Sequence, residues 1–321
     1  METAFFKYFP SSLGWPEPYH PVNRKNQELK CLETLAPNVM VMHVKHSHVI
    51  PQHFKKAIMN ELKNKVVVIY GAGGEIGGAV ARAFAREGAR LFLTGRRLAP
   101  VEAVARDIVS AGGEAEAAQV DALDEQAIDK HLQFVVAKAG CIDISFNAIG
   151  NSPTSYLGAS LVEMDLKQFI MPITSYIISY FLTARLAARR MLLNKSGVIM
   201  TVSAPPARIG TPNGGYGPSQ AAKEALTRYL SKELAPQGIR VVCLQPHGMP
   251  ETETIKEIFE SRAATAGVTW EQFTAYLAGM NHPKRFMTLA EMANVAVFVA
   301  SDKASVLMGT TVNMTMGALD D

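Results

Sequence analysis

Hydrophobic and polar positions follow two regimes along the chain, and these meet near residue 60. Before that point prolines interrupt the apolar positions, whereas after it strand-like and helix-like patterns alternate. The continuous apolar run Val66–Tyr70 predicts a strand buried on both faces, and Ile76–Glu87, with apolar residues at helical spacing, predicts the helix that follows. Further strands are predicted at Arg90–Leu93, Ala115–Val120, Ile142–Asn147, Val198–Val202, Arg240–Leu244 and Thr311–Met314.

Strands that alternate with helices predict an α/β fold built on a doubly wound parallel sheet. A single domain is expected over residues 59–321, because Met59 opens the regular pattern. Residues 1–58 are expected to be an N-terminal extension or arm, or an overlong assignment of the start site.

Half of the eight histidines lie close together in this arm, at His43, His46, His48 and His53. Histidine clusters can bind zinc, but no cysteine or acidic residue is interleaved with them to complete a ligand set. We therefore expect no metal site. An arm that lies on the domain or on a neighbouring subunit is the preferred interpretation.

Composition narrows the function classes. The 321 residues carry a formal net charge of +3, which gives no basic field for nucleic acid or an anionic membrane and favours a small-molecule substrate. Phe169–Leu182 is apolar but is interrupted by polar residues and predicted too short to span a membrane. No secretory or transit peptide is recognised, and three separated cysteines suggest free thiols in a reducing, cytoplasmic compartment: Cys31, Cys141 and Cys243.

A glycine-rich turn follows the first predicted strand. Glycine permits the tight turn and close backbone approach by which a dinucleotide pyrophosphate rests on a helix N-terminus. Placed between a buried strand and a helix, this turn predicts a cofactor site, although a glycine-rich connection without a ligand is the alternative. The residues concerned are Gly71, Gly73, Gly74, Glu75, Ile76 and Gly77.

The end of the second predicted strand bears on which dinucleotide binds. An acid there would bind the ribose hydroxyls, whereas Arg96 and Arg97 stand there instead and suit a 2′-phosphate. NADP(H) is therefore expected rather than NAD(H). The alternative is that both arginines only decorate a helix start.

Further motifs occur in a fixed order along the chain. Ser203 closes the strand Val198–Val202 and precedes Tyr216 by thirteen positions, and the glycines fit the form Gly71-x-x-Gly74-x-x-Gly77. With Val120-Asp121-Ala122, Phe146-Asn147-Ala148-Ile149-Gly150 and Pro246-His247-Gly248, the chain resembles a short-chain dehydrogenase/reductase from about Met59 to its C-terminus.

This resemblance implies a Rossmann-type fold and assigns roles to the matching residues. Asp121 with Ala122, Asn147 with Ala148, and the Pro246 to Gly248 turn would help to bind the cofactor. Tyr216 would exchange the proton with the substrate oxygen, and Ser203 would hold that oxygen. The resemblance also implies a homodimer or homotetramer assembled through the helices at 176–192 and 218–234.

Two departures from the family pattern fall on proton handling. Gln220 takes the place of the lysine that follows the tyrosine by four residues, and Tyr176 takes the place of a relay asparagine. Gln220 can still donate a hydrogen bond to a cofactor ribose, but it has no charge with which to lower the pKa of Tyr216. Lys223 is a candidate replacement cation, and a solvated surface lysine is the alternative.

These observations leave two hypotheses. One is an NADP(H)-dependent reductase of a carbonyl or enone, in which Tyr216 donates a proton and reduction survives better than alcohol oxidation. The other is a catalytically weak or inactive dinucleotide-binding protein with a regulatory or scaffolding role. The insert at about 249–287, predicted to be a substrate lid, contains apolar residues that suggest an apolar substrate, although core packing explains most of them equally well: Met249, Ile258, Phe259, Trp270, Phe273, Tyr276 and Met280.

Overall fold

The computed structural model describes residues 60–150, 160–210 and 213–319. The predicted arm, with its cluster of four histidines from His43 to His53, lies outside the described residues. The strands are β1 (Val66–Tyr70), β2 (Arg90–Gly95), β3 (Glu114–Gln119), β4 (Ile144–Asn147), β5 (Gly197–Val202), β6 (Ile239–Pro246) and β7 (Thr311–Met314). The helices are α1 (Glu75–Arg86), α2 (Leu98–Ser110), α3 (Glu125–Ala139), α4 (Leu166–Ile173), α5 (Ser179–Asn194), α6 (Tyr216–Leu234), α7 (Glu253–Ala266), α8 (Trp270–Met280) and α9 (Leu289–Ala300).

In the described part of the chain, the strands form one parallel sheet in the order β3-β2-β1-β4-β5-β6-β7. This confirms the predicted doubly wound α/β fold. The order reverses between β1 and β4, which pair from Val67 with Ile144 to Tyr70 with Asn147. At such a reversal the loops at the carboxyl ends diverge and leave the crevice in which doubly wound sheets bind ligands.

Helices cover both faces of the sheet, which explains why β1 is apolar at every position. Val67 and Ile69 belong to one buried cluster, with Phe84 of α1. Val66, Val68 and Tyr70 point to the other face and share a cluster with Tyr180 of α5. Because successive side chains enter opposite layers, neither face of β1 tolerates a polar residue.

The apolar segment near residue 170 forms a longer helix than expected. It runs from Leu166 to Asn194 as α4, a π-helical turn (Thr174–Ile178) and α5, and by length and composition alone it could cross a membrane. The prediction that this stretch is too short to span a membrane was wrong about its length, because the helix continues past Pro172 through the π-helical turn. A core helix meets the same criterion, and Tyr180 and Met191 of this helix are fully buried in the cluster beside the sheet.

Candidate active site

The glycine turn lies at the point where the strand order reverses. Gly71 follows β1 with φ +78°, and a side-chain Cβ there would lie 2.8 Å from the carbonyl oxygen of Ala148, which follows β4. A Cβ on Gly77 would overlap the carbonyl oxygen of Gly71. Glycine is therefore required at position 71 to bring the two strand ends together, and at position 77 to let α1 pack closely on the turn.

The N-terminus of α1 fits an anionic ligand. Its N-cap residue is Gly74, which provides no side-chain hydrogen bond to the first amide groups of the helix, those of Glu75, Ile76 and Gly77. Uncapped amides and the positive end of the helix dipole form a binding site for a phosphate group. The residues of this turn would thus hold a dinucleotide pyrophosphate.

Glu75 introduces a negative charge into this turn. Its carboxylate is exposed and accepts hydrogen bonds at 3.0 Å for each oxygen from the backbone N–H of Glu253, the first residue of α7. The N-cap residue of α7, Thr252, bonds instead to the carbonyl of Met249 and makes no side-chain cap. The glycine turn therefore supplies the cap of a helix in the predicted lid.

Arg96 and Arg97 lie beside the glycine turn. A Cβ on Gly73 would contact Pro100 of α2 at 3.1 Å, so the turn packs against the first turn of that helix. Arg97 is the N-cap residue of α2 without a side-chain cap, and the first turn has no acidic residue. Both arginines are exposed and form no ion pair with the described residues, which leaves their guanidinium groups available to a phosphate.

The remaining predicted cofactor residues lie at strand ends. Asp121, exposed after β3, accepts a hydrogen bond from the amide of Leu123 at 3.0 Å, and Ala122 beside it is buried. Asn147 at the end of β4 is buried and donates to the hydroxyl of Thr183 at 3.0 Å. The amide of Ala148 donates to the carbonyl of Tyr70 and thus ties the end of β4 to β1.

The turn after β6 connects the sheet to the lid. Pro246 is buried at the strand end, and a Cβ on Gly248 would lie 3.1 Å from the ring of Phe259 in α7. His247 stacks on Phe286 with ring centroids 6.3 Å apart, and burial lowers the pKa of His247. A dinucleotide bound along the carboxyl ends of the strands would meet this turn at the base of the lid.

Tyr216 begins α6 and packs against a second tyrosine. The Tyr176 ring meets it edge to face with centroids 5.5 Å apart, and Tyr176 lies in the π-helical turn. Burial, and to a smaller extent Tyr176, raises the pKa of the Tyr216 phenol above its ordinary value. The two positions that were singled out in sequence, Tyr176 and Tyr216, are thus in direct contact.

Lys223 is buried, which excludes the alternative of a solvated surface lysine. Only 1% of it is exposed, and its Nζ donates a hydrogen bond to the carbonyl of Val202 and lies 5.4 Å from the centroid of the Tyr176 ring. Burial lowers the pKa of Lys223 to about 8. Among the described contacts, the ammonium group lies over the Tyr176 ring, and that ring in turn packs against Tyr216.

Gln220 is also buried. Its Nε2 donates to the hydroxyl of Ser219 at 3.3 Å, and Ser219 donates to the carbonyl of Tyr216 at 2.6 Å. The glutamine thus helps to fix the first turn of α6 without bringing a charge to the phenol. This is consistent with a positioning role and not with acidification of Tyr216.

A buried carboxylate next to Ser203 was missed by the sequence analysis. The Ser203 hydroxyl donates to Glu224 Oε1 at 2.8 Å, Gln245 Nε2 donates to the same oxygen at 2.6 Å, and Arg208 Nε lies 3.7 Å from Oε2. Glu224 is therefore a buried acceptor for two hydrogen bonds, and it also pairs with one guanidinium group. Its position one helical turn after Gln220 was the available sequence signal.

The predicted lid consists largely of α7 and α8. Phe259 of α7 packs on Trp270, Phe273 and Phe286 with centroid separations of 5.8 to 6.4 Å. Tyr276 and Met280, in contrast, are exposed. The sequence analysis missed Arg262 in α7, whose Nη2 donates to Asn213 Oδ1 at 2.9 Å, close to Tyr216.

Comparison with known proteins agrees with this geometry. A family model described as Enoyl-(Acyl carrier protein) reductase matches residues 71–318. The uncharacterized oxidoreductase YxbG of Bacillus subtilis (strain 168) is 29% identical over 264 residues, covering 81% of this chain and 93% of the relative.

Two solved structures share the fold. Sorbitol-6-phosphate 2-dehydrogenase SrlD from Erwinia amylovora has a TM-score of 0.75 at 24% identity, covering 79% of this chain and 100% of that one. A 7 alpha-hydroxysteroid dehydrogenase in complex with NADH and 7-oxo glycochenodeoxycholic acid has a TM-score of 0.71 at 26% identity, covering 82% and 97%. These matches confirm the fold predicted from sequence and the family resemblance that the sequence motifs indicated.

Proposed function

Because the chain belongs to the short-chain dehydrogenase/reductase superfamily, whose members bind a nicotinamide dinucleotide, we propose that it is an NADP(H)-dependent oxidoreductase that reduces a carbonyl or enone of an apolar substrate. The raised pKa of Tyr216 is the observation that supports reduction, and not alcohol oxidation, as the direction of the reaction. At neutral pH its phenol is protonated and can donate a proton. Reduction needs such a donor, whereas alcohol oxidation needs a base.

The nicotinamide, when bound, would supply the hydride for reduction. Tyr216 donates its phenolic proton to the substrate oxygen, so that hydride and proton together convert a carbonyl into an alcohol. The Lys223 ammonium group, in contact with the Tyr176 ring, is a buried cation that can stabilise the negative charge that develops on Tyr216. Its contribution is weaker than that of a lysine in direct contact with the phenol, because Coulomb energy falls with distance.

Ser203 has a conditional role in this scheme. Its hydroxyl hydrogen points to Glu224, so Ser203 offers lone pairs and not a proton to any other group. Rotation of the hydroxyl would let it donate to a substrate oxygen, while Gln245 and Arg208 keep Glu224 paired. Ser203 would thus help to hold the substrate oxygen only after this hydrogen bond has exchanged.

The preference for NADP(H) is proposed from Arg96 and Arg97. We expect Arg97→Ala to weaken NADPH binding at least about tenfold and NADH binding by much less, since a charge-assisted hydrogen bond contributes about 1.5–3 kcal/mol. Fluorescence titration measures the affinities for NADPH and for NADH. Arg106→Ala is the control, because Arg106 is exposed on α2, the helix that Arg97 begins, and among the described residues it pairs with Glu102. Equal losses for the two cofactors would contradict the preference.

The proposed activity is tested by following NADPH oxidation against a panel of ketones and enones. Tyr216→Phe should lower turnover at least about a hundredfold, since general acid catalysis contributes about 10²–10⁴, and should leave NADPH binding intact. Tyr229→Phe is the matched control, because Tyr229 lies on the same helix and is 77% exposed. Turnover that persists in Tyr216→Phe would rule out Tyr216 as the donor.

One observation favours the alternative of a dinucleotide-binding protein with little turnover. Lys223 is held by the Val202 carbonyl, and Gln220 brings no charge to α6 near Tyr216. If this alternative is right, native protein should bind NADPH without reducing any member of the panel. Gln220→Lys should then acquire activity, because it restores a cation one turn from the phenol.

A further inference from the structure

The inner face of α7 carries a cation near the proposed active site. Phe259 and Arg262 are three residues apart and share one face of the helix. Phe259 on that face packs against Phe286 and the Gly248 turn. Arg262 therefore points toward the body of the domain and is half-buried.

The described contact of Arg262 places it beside the loop that leads into Tyr216. Its Nη2 donates to Asn213 Oδ1 at 2.9 Å, and the backbone carbonyl of Asn213 accepts the amide hydrogen of Tyr216 at 3.0 Å. Asn213 itself is only 4% exposed. The guanidinium group thus lies next to the segment that positions the proposed proton donor.

In the described part of the chain, Arg262 has fewer polar partners than the half-buried Arg190 and the buried Arg240. Arg190 pairs with Asp129 at 2.6 Å, and Arg240 donates to four backbone carbonyls, those of Val299, Ala300, Ser301 and Ala304. Among the described residues, no carboxylate lies within ion-pair distance of Arg262. A guanidinium group has five N–H donors, and one neutral amide oxygen satisfies only one of them.

A half-buried cation without a counter-charge is costly unless a ligand provides the charge. We propose that Arg262 binds a carboxylate or phosphate group carried by the substrate, whose carbonyl then faces Tyr216. This rests on the proposed function and narrows its substrate class to apolar oxo compounds with an anionic end. The aromatic residues of the lid would cover the apolar middle of such a molecule.

The test compares matched acidic and neutral substrates. Oxo acids of increasing chain length, from levulinate upward, are assayed beside their methyl esters, and dihydroxyacetone phosphate beside dihydroxyacetone. These two arms distinguish carboxylate from phosphate. For the preferred anion, native protein should show a higher kcat/KM than for its neutral partner.

Two variants separate charge from structure. Arg262→Gln should lower kcat/KM for the preferred anion at least about tenfold and leave the neutral partner nearly unchanged. Arg262→Lys should recover part of this loss, because it keeps the charge but not the planar fork. Lys256→Gln, which removes an exposed charge from the same helix, should have little effect. The melting temperature and NADPH affinity of each variant verify its fold.

Equal losses for acid and neutral partner, or a parallel loss of NADPH binding, would overturn the role of Arg262 in substrate binding. If native protein reduces nothing, the proposed function fails, and calorimetric titration of the NADPH complex with the same oxo acids and phosphate still tests the site. Weaker anion binding in Arg262→Gln than in native protein would support it. Equal binding, or no binding to native protein, would overturn it.

Discussion

At the scale of single residues, the burial of Lys223 carries a free-energy cost that no acidic partner offsets in the described part of the chain. It is buried beneath Tyr176, and its ammonium group is paired with a neutral carbonyl and not with an acid. A charged group in such a place destabilises the folded chain unless it is fully compensated. The cost would be explained by a gain in function, namely a positive charge behind the two tyrosines.

The lowered pKa of Lys223 predicts a pH-dependent stability. Below pH 8 the lysine is protonated in the folded and the unfolded chain, so the full cost is present. Between pH 8 and 10.5 the folded chain releases the proton first, and the cost declines as pH rises. Lys223→Met should therefore be more stable than native protein by up to about 3 kcal/mol at pH 7.

Urea unfolding of both proteins at pH 7 and pH 10.5 measures this difference. Groups that titrate alike in the two proteins cancel in the comparison. A stability difference that stays the same at both pH values would contradict the lowered pKa. Reduced NADPH-dependent turnover in the stabilised variant would link the buried charge to catalysis.

The sequence singled out Ser203, Gln220 and Tyr216 as candidate site residues because their spacing is local to one strand end and one helix. It did not single out Glu224 or Arg262, because their contacts arise only when α6 meets the end of β5 and when α7 meets the loop at Asn213. It also left open whether Lys223 is buried, since helical spacing does not define which neighbouring element covers a face. Tertiary placement decided each of these.

At the scale of elements, apolar runs predicted strands well where both faces are buried. β1 is buried on both faces and has the predicted bounds; the half-exposed edge strand β7 also matches, whereas β3 is shifted to begin at Glu114. Its polar sequence is half-exposed, and its extent is set by pairing with β2, from Arg90 with Glu114 to Gly95 with Gln119. Residue periodicity contains no information about this register.

The hydrogen bonds between Glu75 and the start of α7 predict a coupling between cofactor and lid. Glu75→Ala should loosen the first turn of α7 by about 1 kcal/mol, the usual value of a helix cap. It should also tighten NADPH binding, because it removes a negative charge from the site proposed for the pyrophosphate. Hydrogen exchange at residues 253–256 and fluorescence titration measure the two effects.

Glu257→Ala is the control for this experiment, since it removes an exposed charge from the same helix. Exchange rates in Glu75→Ala that match those of native protein would show that the cap does not hold the lid in solution. Glu75→Gln keeps an acceptor for the Glu253 amide and should retain most of the protection.

At the scale of the whole molecule, apolar side chains remain exposed on one of the two helices that are predicted to form an oligomer. Ile178 and Phe181 lie about one turn apart, each with at least 39% of its surface exposed. We expect native protein to be a dimer or tetramer and the double variant Ile178→Glu, Phe181→Glu to run near the 34.8 kDa monomer mass.

Light scattering after size-exclusion chromatography measures both masses. Val306→Glu tests whether any added charge has the same effect, because Val306 is 85% exposed but lies near β7. A monomeric native protein, or an unchanged mass in the double variant, would contradict this interface.

The pairing of β1 with β4 has a consequence for synthesis on the ribosome. β1, β2 and β3 can pair as they emerge, but the other edge of β1 has no partner until Ile144–Asn147 has been made. Until then an apolar strand presents open hydrogen-bonding groups, the arrangement that promotes association between nascent chains. Because β1 is central in the sheet, one of its edges stays unpaired during this stage of translation. We therefore expect a chaperone that covers this edge to matter most at that stage.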